Sequence, residues 1–179
     1  DVGKDKVKIF YIGKTSKPRP IILPKHVELN KQLGEFCGLY YAEGFNSRRS
    51  CRHITQFTNS EPELIKQFIK FLEKYLFFDK QNLTFKIKFS KGLTNDISKE
   101  ELICFWKNEL NLDNKSKIQF FCDSKISRKY GQRMMVYFGN TLFRGILDRL
   151  IELVCQASLS DHNVRCGFLR GVFAGEGCV

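Results

Sequence analysis

The chain has 179 residues, with 30 Lys and Arg against 19 Asp and Glu, a formal charge of +11 and an isoelectric point near 9.4. At 42 % hydrophobic and 13 % aromatic content it is too apolar for a disordered basic tail and long enough to bury a core. No apolar run nears the roughly 18 residues of a membrane span and no signal-peptide pattern is evident, so we expect an intracellular protein (cytoplasm or nucleoid, or an organelle) with a polyanionic partner and no membrane.

In chain order, Lys6 to Ile12 reads as a strand, and Gly13 to Lys25, with Pro18, Pro20 and Pro24, reads as a connector. Asn30 is placed to cap a helix from Lys31 to Gly44. Arg52 to Thr58 reads as a strand. Ser60-Glu-Pro-Glu63 has the form of a capping box opening a helix whose apolar face is Leu64, Ile65, Phe68, Ile69, Phe71 and Leu72. Leu83 to Phe89 alternates, with Phe85 and Ile87 on one side and Lys86 and Lys88 on the other. Ser98-Lys-Glu-Glu101 is a second capping box, for a helix through Leu110. Lys117 to Cys122 and Gln132 to Gly139 read as strands, Thr141 to Val154 as a helix, and His162 to Gly175 as a last helix capped by Asp161 or Ser160. The pattern predicts an α+β fold: a mixed sheet with helices on one face and alternating Lys and Arg on the other.

Seven cysteines at wide spacings, with no C-x-x-C, exclude a zinc ribbon and argue for reduced thiols packed in apolar runs. His26, His53 and His162 stand apart from one another and from any recognised metal spacing.

Two helices far apart in the chain share a pattern. The first carries Gly34, Gly38 and Ala42 at intervals of four, the second Gly167, Gly171 and Gly175, and both end in acid-glycine, Glu43-Gly44 and Glu176-Gly177. A mid-helix glycine costs about 1 kcal/mol relative to Ala, so matched stripes need a compensating reason. A stripe without side chains lets a second backbone approach closely. Packed together about a local two-fold, the stripes would bring Glu43 near Glu176. Two close carboxylates repel, which is tolerable where a cation binds. Oxygen ligands suit Mg²⁺ or Ca²⁺, and paired acids in a basic protein suggest phosphodiester hydrolysis.

Phe36-Cys-Gly-Leu-Tyr-Tyr-Ala-Glu-Gly44 and Leu169-Arg-Gly-Val-Phe-Ala-Gly-Glu-Gly177 resemble the two signature helices of LAGLIDADG homing endonucleases, and the longer stretches 33–44 and 165–177 are similar to archaeal and intein-associated members. The resemblance implies an αββαββα half-domain occurring twice, each with a four-stranded saddle sheet lying in the DNA major groove. It implies Glu43 and Glu176 as catalytic, metal-binding acids, with the carbonyls of Ala42 and Gly175 near the metal. It implies Mg²⁺ as cofactor, with Ca²⁺ or Mn²⁺ substituting in binding. On this reading residues 1–30 are an N-terminal strand and connector, and 31–158 are the first half-domain. Residues 159–179 are the signature helix of a second half-domain, completed by a continuation of the chain or by a partner chain. The separation of 133 residues between Glu43 and Glu176 exceeds that of compact members, and the helix at 98–110 accounts for the excess. Asn59 stands where the family often has a basic residue, leaving Lys88 or Lys91 as candidate active-site cations.

The expected DNA-contacting residues are Arg48, Arg49, Arg52, Gln56, Lys86, Lys88, Lys117, Gln119, Arg128, Arg133 and Tyr137. Lys and Arg can donate to guanine O6 and N7 and Gln can pair with adenine. The function expected is site-specific cleavage of double-stranded DNA. The alternative is an intron-RNA maturase or a non-catalytic DNA-binding module of the same fold. Phe10-Tyr-Ile-Gly-Lys-Thr-Ser16 resembles part of a GIY-YIG nuclease signature, but a strand followed by a glycine turn accounts for it.

Overall fold

The computed structural model describes residues 4–10, 20–44, 54–89, 97–113, 116–122 and 131–176. A short antiparallel hairpin, β1 (Lys6–Ile9) and β2 (Ile21–Pro24), precedes helix α1 (Lys31–Glu43). Then follow β3 (Ile54–Asn59), α2 (Pro62–Leu76), β4 (Thr84–Phe89), α3 (Lys99–Leu110), β5 (Lys117–Cys122), β6 (Gln132–Gly139), α4 (Thr141–Ala157) and α5 (His162–Glu176). The expected α+β class and order of elements hold over the described residues, with β2 added. Ile21 and Leu23 alternate inward from β2 and are buried. The prolines on either side of this short segment disguise it as a connector, yet they sit at the strand's edge and end, where a missing N–H is tolerated.

The four-stranded sheet has the order β3-β6-β4-β5, with β4 and β5 parallel and the other pairs antiparallel. A parallel pair requires a crossover, and α3 provides it. From α1 to α4 the order is therefore αβαβαββα, which departs from the αββαββα pattern implied by the resemblance. The departure arises from α2, whose 3.6-residue apolar period follows directly on β3, and from α3.

Caps set the helix starts. Asn30 Oδ1 accepts from Leu33 N–H at 2.9 Å, and Asp161 Oδ1 accepts from Val164 N–H at 3.1 Å. The capping box at Ser98 forms in both directions, with Glu101 N–H donating to Ser98 Oγ and Ser98 N–H to the Glu101 carboxylate. The box expected at Ser60 does not form. The N-cap of α2 is Glu61, Pro62 occupies the first turn, and Asn59 Oδ1 takes the Glu61 N–H at 2.8 Å. Asn59 is thus a buried turn-maker facing the core side of β3.

The core lies between one face of the sheet and α1, α2 and α4. Phe36, Tyr40, Phe57, Phe68 and Phe71 stack through it, with Phe36 and Phe71 centroids 3.6 Å apart and Phe57 and Phe68 4.5 Å apart. Leu102, Trp106 and Leu110 form the inward stripe of α3, and Trp106 donates to Gln132 Oε1 at 2.9 Å. Cys104 lies off that stripe and is exposed, as is Cys122. Among the described cysteines only Cys37 is buried, which corrects the expectation of core thiols. Burial drives the Cys37 thiol far above its ordinary value, with Cys155 adding to it.

Among the described residues one charged side chain enters this core. Arg144, on α4, is 7 % exposed. Its guanidinium donates to Tyr40 Oη on α1 at 3.3 Å, to the Ile54 carbonyl on β3 at 3.1 Å and to Asp148 Oδ2 at 2.8 Å. Burial pushes the Tyr40 phenol up to about 12 even with this cation beside it. Among the described residues no helix is long and apolar enough to cross a membrane.

Candidate functional site

Helices α1 and α5 lie side by side, running in the same direction, with their glycine stripes facing. A Cβ placed on Gly34 would lie 2.5 Å from the Val164 carbonyl oxygen and 3.0 Å from Phe168 N. One on Gly38 would meet the Phe168 carbonyl and stand 3.0 Å from Val172 N. The contacts of the second stripe mirror these: Gly167 faces the Lys31 carbonyl and Glu35 N, and Gly171 the Glu35 carbonyl and Leu39 N. Adding 133 to the α1 residues Lys31, Gly34, Glu35, Gly38 and Leu39 gives the α5 residues Val164, Gly167, Phe168, Gly171 and Val172, so each contact has its exchanged counterpart and the pair has a local two-fold parallel to the helices. Backbone meets backbone at all four glycines, which is the compensating reason for their helix-propensity cost.

The axis brings the two helix ends together. At Gly175 an added Cβ would stand 2.6 Å from Ala42 Cβ and 3.2 Å from Glu43 Cγ. Glu43 and Glu176 are the last helical residues of α1 and α5. Desolvation holds the Glu43 carboxyl above its ordinary range, Arg133 opposes the rise, and the Glu176 charge adds to it. The two acids are therefore close enough to repel, Glu43 partly buried and Glu176 exposed, with Arg133 acting on the first. That donor set fits a hard divalent cation with water completing its shell. Among the described residues no group of three His, Cys, Asp or Glu converges on a metal position. His162 and Cys166, one helical turn apart on α5, do approach to 3.6 Å, which reading the histidines as isolated had missed.

The second part of the candidate site is the sheet face turned away from the core. The strand register arranges it in rows. Gln56, Tyr137, Thr84 and Lys117 form one, Thr58, Met135, Lys86 and Gln119 the next, and Arg133, Lys88 and Phe121 the third. Gln56, Lys86, Lys88, Gln119, Arg133 and Tyr137 thus share one face, with Tyr137 Oη donating to Gln119 Oε1 at 2.9 Å. Lys117 is in register by its backbone. Arg48, Arg49, Arg52, Arg128 and Lys91 lie outside the described residues. Arg133, foreseen only as a DNA contact, is the cation acting on Glu43. Lys88 is its cross-strand neighbour. Arg133 therefore joins the acid pair to the basic face.

Sequence reasoning missed Met135, buried between Thr58 and Lys86, and Phe121, exposed beside Lys88. Strict alternation outward from Arg133 and Tyr137 would have found Met135. The doubled phenylalanine Phe120-Phe121 obscures the phase of β5.

Compared with protein-family models, curated proteins and solved structures, the chain matches none.

Proposed function

We propose that the chain is a LAGLIDADG-type endonuclease that hydrolyses phosphodiester bonds in double-stranded DNA at a long recognition site. The observation that supports this reading best is the reciprocal glycine seam, which delivers one carboxylate from each motif helix to a common end, next to Arg133 and the basic sheet face. In this reading Glu43 and Glu176 hold Mg²⁺, with the Ala42 and Gly175 carbonyls beside them, and Ca²⁺ or Mn²⁺ can occupy the same place. When bound, the metal supplies a Lewis acid for water and the scissile phosphate. The chain's own residues position the DNA: the open face lies along the major groove, Lys and Arg donate to phosphate or guanine, and Gln56 and Gln119 address adenine.

The same symmetry argues for a second half-domain. Phe36 and Tyr40 of α1 are 2 % and 3 % exposed, whereas their α5 counterparts Leu169 and Phe173 are 46 % and 53 % exposed. A second sheet and its helices, from more of the same polypeptide or from a partner, would cover them as the first half covers Phe36 and Tyr40. The protein would act wherever the cell keeps its DNA.

The test is cleavage. The full protein with Mg²⁺ should cut a cognate duplex and leave 3′ overhangs, as the family resemblance implies. Glu43→Gln and Glu176→Gln should abolish cutting while sparing binding. If both variants cut at the wild-type rate, the two-acid site is wrong. A wild-type protein that leaves DNA intact but binds an intron RNA tightly would establish the maturase alternative instead.

A further inference from the structure

Phe121 is 45 % exposed on the open face of β5, an edge strand of the sheet. A single exposed aromatic is ordinary on a protein surface; its surroundings distinguish this one. Lys86 Nζ sits over the ring, 4.7 Å from the centroid. Lys88 is its register partner on β4, and Arg133 is the next residue across. The neighbouring Phe120 points to the other side of the sheet and packs against Phe89 at 4.6 Å. The ring is thus an apolar island in a row of cations, on the face that the DNA-binding reading turns toward the major groove.

The floor of that groove offers donors, acceptors and one apolar group, the 5-methyl of thymine. A cation row draws the polyanion in, and an apolar ring within the row has one complementary group to meet there. We infer that Phe121 is a specificity-determining residue that packs on the 5-methyl group of a pyrimidine in the recognition site, beside base pairs addressed by Lys86 and Lys88. This inference rests on the reading of the open face as a DNA-binding surface. The ring also steadies the Lys86 ammonium by cation–π attraction, so a purely supporting role for Phe121 predicts a different outcome and can be separated.

The experiment selects duplexes from a random library with the full chain in Ca²⁺, for wild type, Phe121→Ala and Phe121→Leu. Melting curves establish that all three are folded. Wild type should show a strong thymine at one position. Phe121→Ala should lose preference there alone, and Phe121→Leu, which keeps an apolar tip, should retain part of it. Replacing that thymine by deoxyuridine should weaken wild-type binding about four-fold, the worth of one buried methyl group. The same replacement should leave Phe121→Ala binding unchanged. Retention of the thymine by Phe121→Ala, or equal weakening of all duplexes regardless of sequence, overturns the inference while leaving DNA binding intact. If wild type enriches no duplex, the DNA reading fails and this inference with it.

Discussion

Two glycines in the interior of helices should respond oppositely to the same substitution. Gly145 lies within α4, and a Cβ there would meet no described atom within 4 Å. Gly145→Ala should therefore collect only the helix-propensity gain of about 1 kcal/mol, raising Tm by about 2–4 °C for a domain of this size. Gly38 gains the same propensity, but its Cβ would stand 2.8 Å from the Phe168 carbonyl carbon and closer still to the oxygen. Those are backbone atoms, with no rotamer to move them aside, so the cost falls at the upper end of overpacking, about 3 kcal/mol. The net is a loss of about 2 kcal/mol and a Tm lower by about 4–8 °C. Restoring van der Waals distance requires α1 and α5 to separate by about 1 Å. That shifts Glu43 relative to Glu176, and under the proposed two-acid cleavage a displacement of this size should cost about 100-fold in rate. Thermal unfolding followed by circular dichroism, with cleavage on the same samples, reads both effects. Gly171→Ala, the two-fold mate, should match Gly38→Ala. If Gly38→Ala melts as high as Gly145→Ala, the seam is not built from direct backbone contact and the reasoning collapses.

Glu43 binds its proton more tightly in the folded chain than an ordinary carboxyl, so its ionisation weakens folding as pH rises from the ordinary carboxyl range, about 4.3. Glu43→Gln should accordingly melt above wild type near pH 7.5, with the gap closing below about pH 4; a lower Tm at neutral pH would count against a desolvated, repelled carboxylate. Arg144→Met leaves the Tyr40 hydroxyl, the Ile54 carbonyl and Asp148 without the partner they now share, and urea denaturation should show a loss of about 3 kcal/mol. On the open face, Lys86→Ala with Lys88→Ala should reduce the salt slope of DNA binding by about 1 to 2, measured by titrating KCl in fluorescence anisotropy; an unchanged slope would remove both lysines from the interface.

Much of this architecture is legible in the chain because its signals are local. Asn30, Ser98 and Asp161 each act within three residues of themselves, and the 2-residue period of β4 separates Phe85 and Ile87 from Lys86 and Lys88 without reference to anything distant. The acid pair was legible for a different reason: a repeated glycine stripe has few physical uses, and two matching stripes supply each other's partner. What escaped depends on distant residues. Arg144 reads as the polar side of an amphipathic helix, yet its partners Tyr40 and Ile54 are 104 and 90 residues away. Arg133 reads as one more basic strand residue until β6 is set beside β4 and its charge is brought to bear on Glu43. Asn59 drew attention as the absence of a cation, while its side chain accepts the Glu61 N–H at the N-cap of α2.

The seam between α1 and α5 also works as a ruler. Where helices meet through side-chain knobs, rotamer changes can let them slide or rock. Here carbonyl and amide groups of one helix occupy the positions where Cβ atoms of the other would be. Equivalent positions recur only every fourth residue, about 6 Å along the axis. A smaller slip drives a side chain into backbone, and a full step leaves a glycine unmatched at one end. The level at which Glu43 and Glu176 stop is therefore fixed by main chain, whose dimensions do not vary from one rotamer to the next. The spacing of the two carboxylates is thus set when the helices dock, and if they act as the proposed catalytic pair, the organisation they need is built into folding itself.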